Sequence, residues 1–429
     1  MKKLLILAYY FPPLGMGGTQ RVAKFVKYLP SFEWQPYVIT VKDIAYYAKD
    51  ASLLTDVQGA KVFRTGSLDP QRLLAILFDK KERERNNKES AAKRWITLHK
   101  FFTWFFIPDS KKLWVPFATM KALKIVRKER IDCLLTTSPP HSIHLAGKLI
   151  QAWTKLPWVV DFRDDWSRGN FQSEPTPLHK WVNARLENWV IKSANRIVGV
   201  SHGLVEKMCE KVSGDPSRFT AITNGFDDDD FQAFQPGLRN QKFTMTYCGT
   251  LSSIAPVSGF LKGLSGLIRR KPDLKANVTV KFVGLNLAAE IEREIFKLGL
   301  DDIVQWTGYA PHREALQHIM QADLLLYPIA DWASRDFIPG KTFEYLASGK
   351  PVLAIGPSVE GVEILQETTA VELVGHHDLQ AIETAIFKQY SMFEKGRGIS
   401  VLGQSGKSQY ERRELTKRLA EVLDRTVES

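Results

Sequence analysis

The sequence predicts an α/β protein of two doubly wound parallel sheets facing a cleft, with a final helix crossing back to the first domain. Three observations predict it. Short apolar, β-branched runs alternate with helix-length segments almost from end to end, the pattern of a parallel sheet covered on both faces. A polar, turn-rich stretch, Thr223-Asn-Gly-Phe-Asp-Asp-Asp-Asp-Phe231 with Gln235-Pro-Gly237, interrupts the alternation midway, and the pattern then starts again. The chain, at 429 residues, is also too long for one ordinary core.

The first domain is expected over 1–222, a linker over 223–241, the second domain over 242–403 and a charged returning helix over 404–429. In the first domain the strands are Leu4-Leu-Ile-Leu7, Val38-Ile-Thr-Val41, Ile131-Asp-Cys-Leu-Leu135, Trp158-Val-Val160 and Arg196-Ile-Val-Gly-Val200. The second repeats the pattern with Phe243-Thr-Met-Thr-Tyr247, Val278-Thr-Val-Lys-Phe-Val283, Ile303-Val-Gln-Trp306, Leu324-Leu-Leu-Tyr327 and Val352-Leu-Ala-Ile355. Each run is short, apolar and bounded by turn residues, as a strand buried on both faces requires.

Composition narrows the function. A net charge of +12 points to an anionic partner, whether nucleotide, nucleic acid or acidic lipid. No Cys/His finger, RNP-like run or basic stripe with stacking aromatics supports nucleic acid, which is set aside. The three cysteines, Cys133, Cys209 and Cys248, are far apart in apolar settings, so packing is their expected role rather than a disulfide or a metal. The opening Met-Lys-Lys-Leu-Leu-Ile-Leu-Ala imitates a signal peptide but runs into Pro12-Pro13 without a cleavage site, so it reads as a first strand and the protein as cytoplasmic.

Two stretches carry chemistry. After the first strand, Gly15-Met-Gly-Gly-Thr-Gln leads into a helix; first-turn N–H groups and the helix dipole favour a phosphate there, and glycines let it approach. A tight turn without a ligand accounts for that stretch equally well. In the second half, Pro339-Gly340 opens a short helix that Gly349 closes, which places Lys341 in the first turn and Glu344 one turn on. A cation at a helix N-terminus is misplaced unless an anion is bound beside it, whereas Glu344 can accept two hydrogen bonds from a ribose diol. A surface ion pair is the plain alternative, and it leaves Pro-Gly-Lys unexplained.

One segment breaks the alternation: Lys93-Arg-Trp-Ile-Thr-Leu-His-Lys-Phe-Phe-Thr-Trp-Phe-Phe-Ile107 sets aromatics beside basic residues. It suits either a helix lying in a bilayer interface or one packed under a loop.

Phe11-Pro-Pro with Gly17-Gly18, Pro139-Pro-His-Ser, Pro157-Trp-Val-Val-Asp-Phe-Arg-Asp-Asp-Trp166, Asn224-Gly225, Tyr247-Cys-Gly-Thr250, Phe282-Val-Gly284, Thr307-Gly-Tyr309 and Pro339-Gly-Lys-Thr-Phe-Glu-Tyr-Leu-Ala-Ser-Gly-Lys-Pro-Val352 run in order along nearly the whole chain. Together they resemble the glycosyltransferase family 4-like enzymes, whose GT-B architecture is two Rossmann-like domains. The resemblance implies transfer of a sugar from a nucleotide-diphosphate donor, UDP-linked in the commonest case, to a hydroxyl with retention, without metal or cofactor. It implies that Gly17 and Gly18 meet the diphosphate, that Lys341 offsets leaving-group charge with Gly340 beside it, and that Glu344 takes the ribose. The Gly249-Thr250 turn, Gly284 and Tyr309 would complete the donor side.

The chain departs from the family in two places. Asp336 stands where relatives begin a paired-glutamate motif, a shorter carboxylate for the donor sugar. The Gly-Thr turn lacks the usual arginine and lysine clamp, and Lys262 is the nearest cation. Arg163 and Asp164, after a first-domain strand, are expected to position donor or acceptor, with an Arg–Asp pair that merely fixes the loop as the alternative. His141 begins a helix aimed at the same cleft and joins the catalytic candidates. Asp227–Asp230 is read as a solvated turn and not a metal site. A dehydrogenase would need Gly-x-Gly-x-x-Gly, which is missing. A nucleotide-sugar epimerase of the same architecture and an inactive nucleotide-sugar binding protein remain alternatives. The acceptor suggested by charge is a lipid-linked saccharide in bacterial polysaccharide or glycolipid synthesis, reached by peripheral contact with an anionic membrane.

Overall fold

The structure, a computed structural model, describes residues 1–428 except 16, 43, 45–48, 71, 73–105, 167–175, 233–239, 252–255, 285–288 and 397–405. The chain divides into two compact units, Met1–Thr223 with Leu415–Ser429, and Asn224–Glu414. Most of the aromatic segment 93–107 therefore lies outside the described residues.

The first unit contains β1 (Lys2–Leu7), α1 (Gly17–Tyr28), β2 (Trp34–Val41), β3 (Lys61–Thr65), α2 (Val115–Glu129), β4 (Cys133–Ser138) and α3 (Ile143–Thr154), followed by β5 (Trp158–Phe162), α4 (Pro177–Ser193), β6 (Arg196–Gly199), α5 (His202–Val212) and β7 (Phe219–Ala221). Its strands form one parallel sheet in the order β3-β2-β1-β4-β5-β6-β7. In β1, Leu5 and Leu7 join the hydrophobic cluster on one face while Leu4 and Ile6 join that on the other. Burial on both faces is why this strand reads as an unbroken apolar run.

The second unit contains α6 (Asp228–Gln232), β8 (Phe243–Cys248), α7 (Ser258–Arg270), β9 (Val278–Val283), α8 (Ala289–Lys297), β10 (Val304–Gly308) and α9 (His312–Met320). It continues with β11 (Leu324–Pro328), α10 (Lys341–Ser348), β12 (Val352–Ile355), α11 (Glu360–Thr368), β13 (Val371–Val374) and α12 (Leu379–Glu394). The sheet order is β10-β9-β8-β11-β12-β13, again parallel. The last helix, α13 (Arg412–Glu428), lays Leu415, Leu419 and Leu423 into the first unit's core beside Leu4, Ile6 and Phe25. Asp424 of that helix accepts from Lys2 Nζ at 2.8 Å and from Trp34 Nε1 at 3.1 Å.

The segment 223–241 is not uniformly a linker. Asn224 onward groups with the second unit, where Phe226 N donates to Tyr410 O at 3.2 Å and Arg412 N to Phe226 O at 2.7 Å. The acidic run is likewise no simple solvated turn: Asp227 is buried and accepts from Asp229 N at 3.1 Å, starting α6. A carboxylate capping a helix start gains from both the free N–H groups and the dipole.

A buried ion pair ties the first unit together. Arg21 on α1, fully buried, donates through Nε and NH2 to Asp161 on β5, through NH1 to Thr223 O at 2.7 Å, and through NH2 to Ile222 O at 2.8 Å. Thr137 Oγ1 supplies Asp161 with a third hydrogen bond at 2.7 Å. Breaking such a pair leaves an uncompensated charge in the core. Asp161→Ala is expected to destabilise the first unit by about 3–5 kcal/mol, read as a lower urea midpoint for that unit's transition.

Candidate functional site

In each sheet the strand order reverses between the first strand and the neighbour reached by a crossover, β1 beside β4 and β8 beside β11. Helices leave such a junction on opposite faces, and open α/β sheets bind ligands outside the carboxyl ends of the strands there. The residues singled out from sequence fall on these turns. Gly17 and Gly18 follow β1, His141 follows β4, and Arg163 and Asp164 follow β5; Gly249 and Thr250 follow β8, Gly284 follows β9, and Tyr309 follows β10. Asp336, Gly340, Lys341 and Glu344 lie between β11 and the first turns of α10. Lys262 is the exception: it lies mid-way along α7, its exposed ammonium 3.7 Å from Glu294. A flexible stem on an outward helix position meets the nearest carboxylate, so the structure gives no support to Lys262 as a stand-in for the missing clamp.

The second unit's site is organised around Lys341. Its Nζ sits 3.7 Å from the centroid of the Tyr247 ring and 5.8 Å from that of Tyr327. Burial lowers its ammonium from 10.5 to about 7, against the pull of Cys248 and Glu344. An aromatic face offsets part of the lost hydration of a cation, but only part. The start of α10 is fixed by its neighbours: Thr342 Oγ1 lies 2.6 Å from Tyr327 Oη, Tyr345 Oη donates to Leu326 O at 3.2 Å, and Cys248 N donates to Tyr345 Oη at 3.1 Å. Tyr345 thus locks α10 to the end of β8 and the middle of β11 together.

The facing turn brings bare backbone close. Gly249 has φ +144° and Gly284 φ +153°, Gly249 N donates to Val283 O at 2.8 Å, and Gly284 N donates to Gly308 O at 2.8 Å. A Cβ on Gly284 would collide with the Gly249 carbonyl, and one on Gly249 would stand 3.6 Å from Lys341 Nζ. The Thr250 side chain is exposed beside this turn, and its carbonyl accepts from Tyr247 Oη at 3.0 Å, which aims the Tyr247 ring. A Cβ at Gly340 would meet nothing within 4 Å, so the approach to the helix start is open. Tyr309 and Asp336 are half-buried.

Glu344 is held by residues the sequence did not suggest. His312 at the start of α9 places Nδ1 3.5 Å from Glu344 Oε1 and Nε2 3.4 Å from Asp230 Oδ2. Burial pushes the Glu344 carboxyl above the usual range, with His312 and Arg412 drawing it back. An imidazole between two carboxylates fixes the orientation of both.

In the first unit the approach of a second group to the glycine turn is answered within the chain itself. Arg163 donates through Nε to Ser138 O at 2.8 Å, through NH2 to Pro139 O at 2.8 Å, and through NH1 to Gly18 O. A Cβ at Gly18 would lie 2.8 Å from Arg163 NH1, whereas at Gly17 it would meet nothing within 4 Å. Gly18 therefore lacks a side chain because the guanidinium occupies that space, a different reason from a bound diphosphate; Gly17 is the open position. Arg163 spends its hydrogen bonds on three carbonyls rather than on Asp164, which is exposed. His141 is buried and stacks on Trp166 at 4.9 Å and 10°. Burial, with the nearby Arg163 charge, lowers its imidazole to about 3. Its Nδ1 and Ser138 Oγ are buried and have no hydrogen-bond partner among the described residues. His141 is thus a neutral ring, not a proton-transfer base near neutrality.

Two family models match the chain in tandem: "Glycosyltransferase Family 4" over residues 74–230 and "Glycosyl transferases group 1" over 242–391. The chain belongs to the glycosyltransferase family 4-like, GT-B enzymes. Solved structures share the fold over nearly full length. HepE of Anabaena in complex with UDP-glucose is 15% identical, with 99% of this chain and 100% of that one covered at a TM-score of 0.62. Sucrose-phosphate synthase of Thermosynechococcus elongatus is 14% identical, with 99% of each chain covered at 0.63. The putative UDP-N-acetylglucosamine 2-epimerase of Listeria monocytogenes is 11% identical, with 100% and 97% covered at 0.57. None of the curated proteins matches.

In this glycosyltransferase the residues missed from sequence are Arg21, Asp161, Tyr247, Asp230 and His312. Arg21 carried a signal, a cation one helical turn beyond the glycines on an otherwise inward face. His312 and Asp230, 82 residues apart, carried none.

Two predictions follow from the second unit. An anion beside Lys341 restores its ordinary basicity, so binding takes up a proton above the free value. Affinity for a nucleotide sugar, measured by calorimetry, is expected to be fully present below about 7 and to weaken as pH rises through it; Lys341→Arg should flatten that profile. Removing the imidazole from between two carboxylates should lower the melting temperature in His312→Ala, and Asp230→Asn should recover part of the loss in the double variant, a coupling that a four-protein thermal melt reads directly.

Proposed function

We propose that this enzyme moves a sugar from a UDP-linked donor to a hydroxyl acceptor with retention of anomeric configuration and without a metal ion. The observation that carries the reading is the half-buried, desolvated ammonium of Lys341 on the Tyr247 ring at the positive end of α10, opposite the bare Gly249 turn. A site that keeps a cation out of water at a helix N-terminus is matched to a diphosphate, whose charge grows as the bond to the sugar breaks. Glu344, set by His312, accepts from the ribose hydroxyls. The complexes of HepE with UDP-glucose and with UDP and glucose favour uridine as the base.

In the first unit, Gly17 offers open backbone to the diphosphate, and Arg163 acts as a positioning residue that holds the carbonyls of Gly18, Ser138 and Pro139 in place. His141, buried and neutral under Trp166, contributes by packing behind these turns. With no base of suitable pKa assigned, the departing phosphate oxygen takes the acceptor's proton on the face where the new bond forms, which retains the configuration. The acceptor class in keeping with the basic charge is a lipid-linked saccharide of a polysaccharide or glycolipid pathway.

A panel of nucleotide sugars in a thermal-shift assay, followed by donor turnover with and without acceptor saccharides, tests the reading. A UDP-sugar is expected to give the largest shift. Lys341→Ala should lower kcat/KM by about 10²–10³-fold, and chelators should leave the rate unchanged. Appearance of an epimerised donor in the absence of acceptor, or no nucleotide-sugar shift at all, would overturn it.

A further inference from the structure

The first unit carries a surface that sugar transfer does not use. On α4 the residues Leu178, Trp181, Arg185, Trp189 and Lys192 recur every three or four positions, opposite the buried row His179, Asn183, Glu187, Val190 and Ile191. Trp181 is 58% exposed, Trp189 46% and Leu178 61%. On α3 the buried row Ile143, Ala146, Gly147 and Ile150 turns Leu149 and Trp153 outward, and Trp153 is 72% exposed. The two helices are neighbours: Gln151 Nε2 donates to Ser193 O at 3.1 Å, and Lys148 Nζ lies 5.8 Å from the Trp189 ring. Their outward stripes therefore make one face.

Scattered exposed apolar residues need no explanation, but three indoles and two leucines on one face do. The exposed charge on these two helices has a single sign. Lys148, Lys180, Arg185 and Lys192 lie on the two helices and Lys155 ends the first. The one acid in either helix, Glu187, is buried and bonded to Lys211. Arg185 stacks on Trp181 at 4.9 Å, so even the cations and rings are interleaved.

We propose that the α3–α4 face docks on the surface of an anionic phospholipid bilayer. Indole rings have an apolar body and one N–H donor, which suits headgroup depth, and lysine and arginine beside them are drawn to acidic headgroups. A second copy of the chain fits this face poorly, because a twofold contact would set its cations against their own images. No described helix is long and apolar enough to cross a membrane, so the contact is peripheral docking by a folded surface. The face lies outside residues 93–107 and outside the donor half-sites, and it deepens the transfer reading only by supplying the place where a lipid-linked acceptor would be met.

Co-sedimentation of the full chain with vesicles tests it. Strong partition is expected onto an equal mixture of phosphatidylcholine and phosphatidylglycerol, little onto phosphatidylcholine alone, and a decline with added salt. Combining Trp153→Ala, Trp181→Ala and Trp189→Ala should cut partition about tenfold or more, and so should combining Lys180→Glu, Arg185→Glu and Lys192→Glu. Both sets are on the surface, and unchanged melting temperatures confirm folding; if one set fails to fold, the other decides. Absence of binding by the parent chain, unchanged binding by the folded variants, or an oligomer that the tryptophan variant dissolves would each overturn the proposal. The nucleotide-sugar thermal shift should be the same in parent and variants. Its loss from the parent would sink the donor reading while the vesicle result stood.

Discussion

A partly desolvated ammonium group at the positive end of a helix is the constraint on which the second unit's arrangement depends. Among the described residues Lys341 has no carboxylate in salt-bridge contact; it rests on the face of Tyr247, and burial lowers its basicity. Such a group is destabilised until an anion comes beside it, so energy withheld in the free protein becomes available to any anion bound there. The rest of the unit holds that geometry. Tyr345 bridges β8 and β11, Thr342 is bonded to Tyr327, and the bare Gly284 leaves room for the Gly249 carbonyl that any side chain there would strike.

The first unit solves a different problem with two arginines. Arg21 neutralises Asp161 under α1, and Arg163 gathers three carbonyls from two turns. A planar guanidinium with several fixed donors can satisfy carbonyls that converge from separate segments, which an ammonium on a flexible stem does less well. The consequence is a glycine turn whose carbonyl side is filled by protein and whose open side is at Gly17. Basic charge in this unit thus includes buried, partnered side chains, Arg21, Arg163, Lys24 and Lys111, as well as exposed cations, some of which lie beside the indole rings of α3 and α4.

How legible all this was in the sequence depended on burial. Strands covered on both faces, such as β1, β8 and β11, announce themselves as apolar runs. The strands not anticipated were β3, β7 and β13, and each is an outer strand of its sheet. Lys61–Thr65 and Val371–Val374 carry charged residues within the strand, and Phe219–Ala221 is three residues long. An edge strand is half covered, so its composition resembles that of a loop, and its place is settled by pairing rather than by its own residues.

By itself, the sequence determined the doubly wound class, the placing of its singled-out residues at strand-to-helix turns, and the setting of Lys341 and Glu344 on one helix face. These are local properties: apolar runs, turn residues and helical spacing are written within a few positions of each other. Only the tertiary structure decided that Gly18 faces Arg163, that His141 is neutral under Trp166, that Lys262 turns to Glu294, and that His312 and Asp230 hold Glu344. Those partners lie tens to hundreds of positions apart, and proximity in space sets burial and charge environment, which no local pattern encodes.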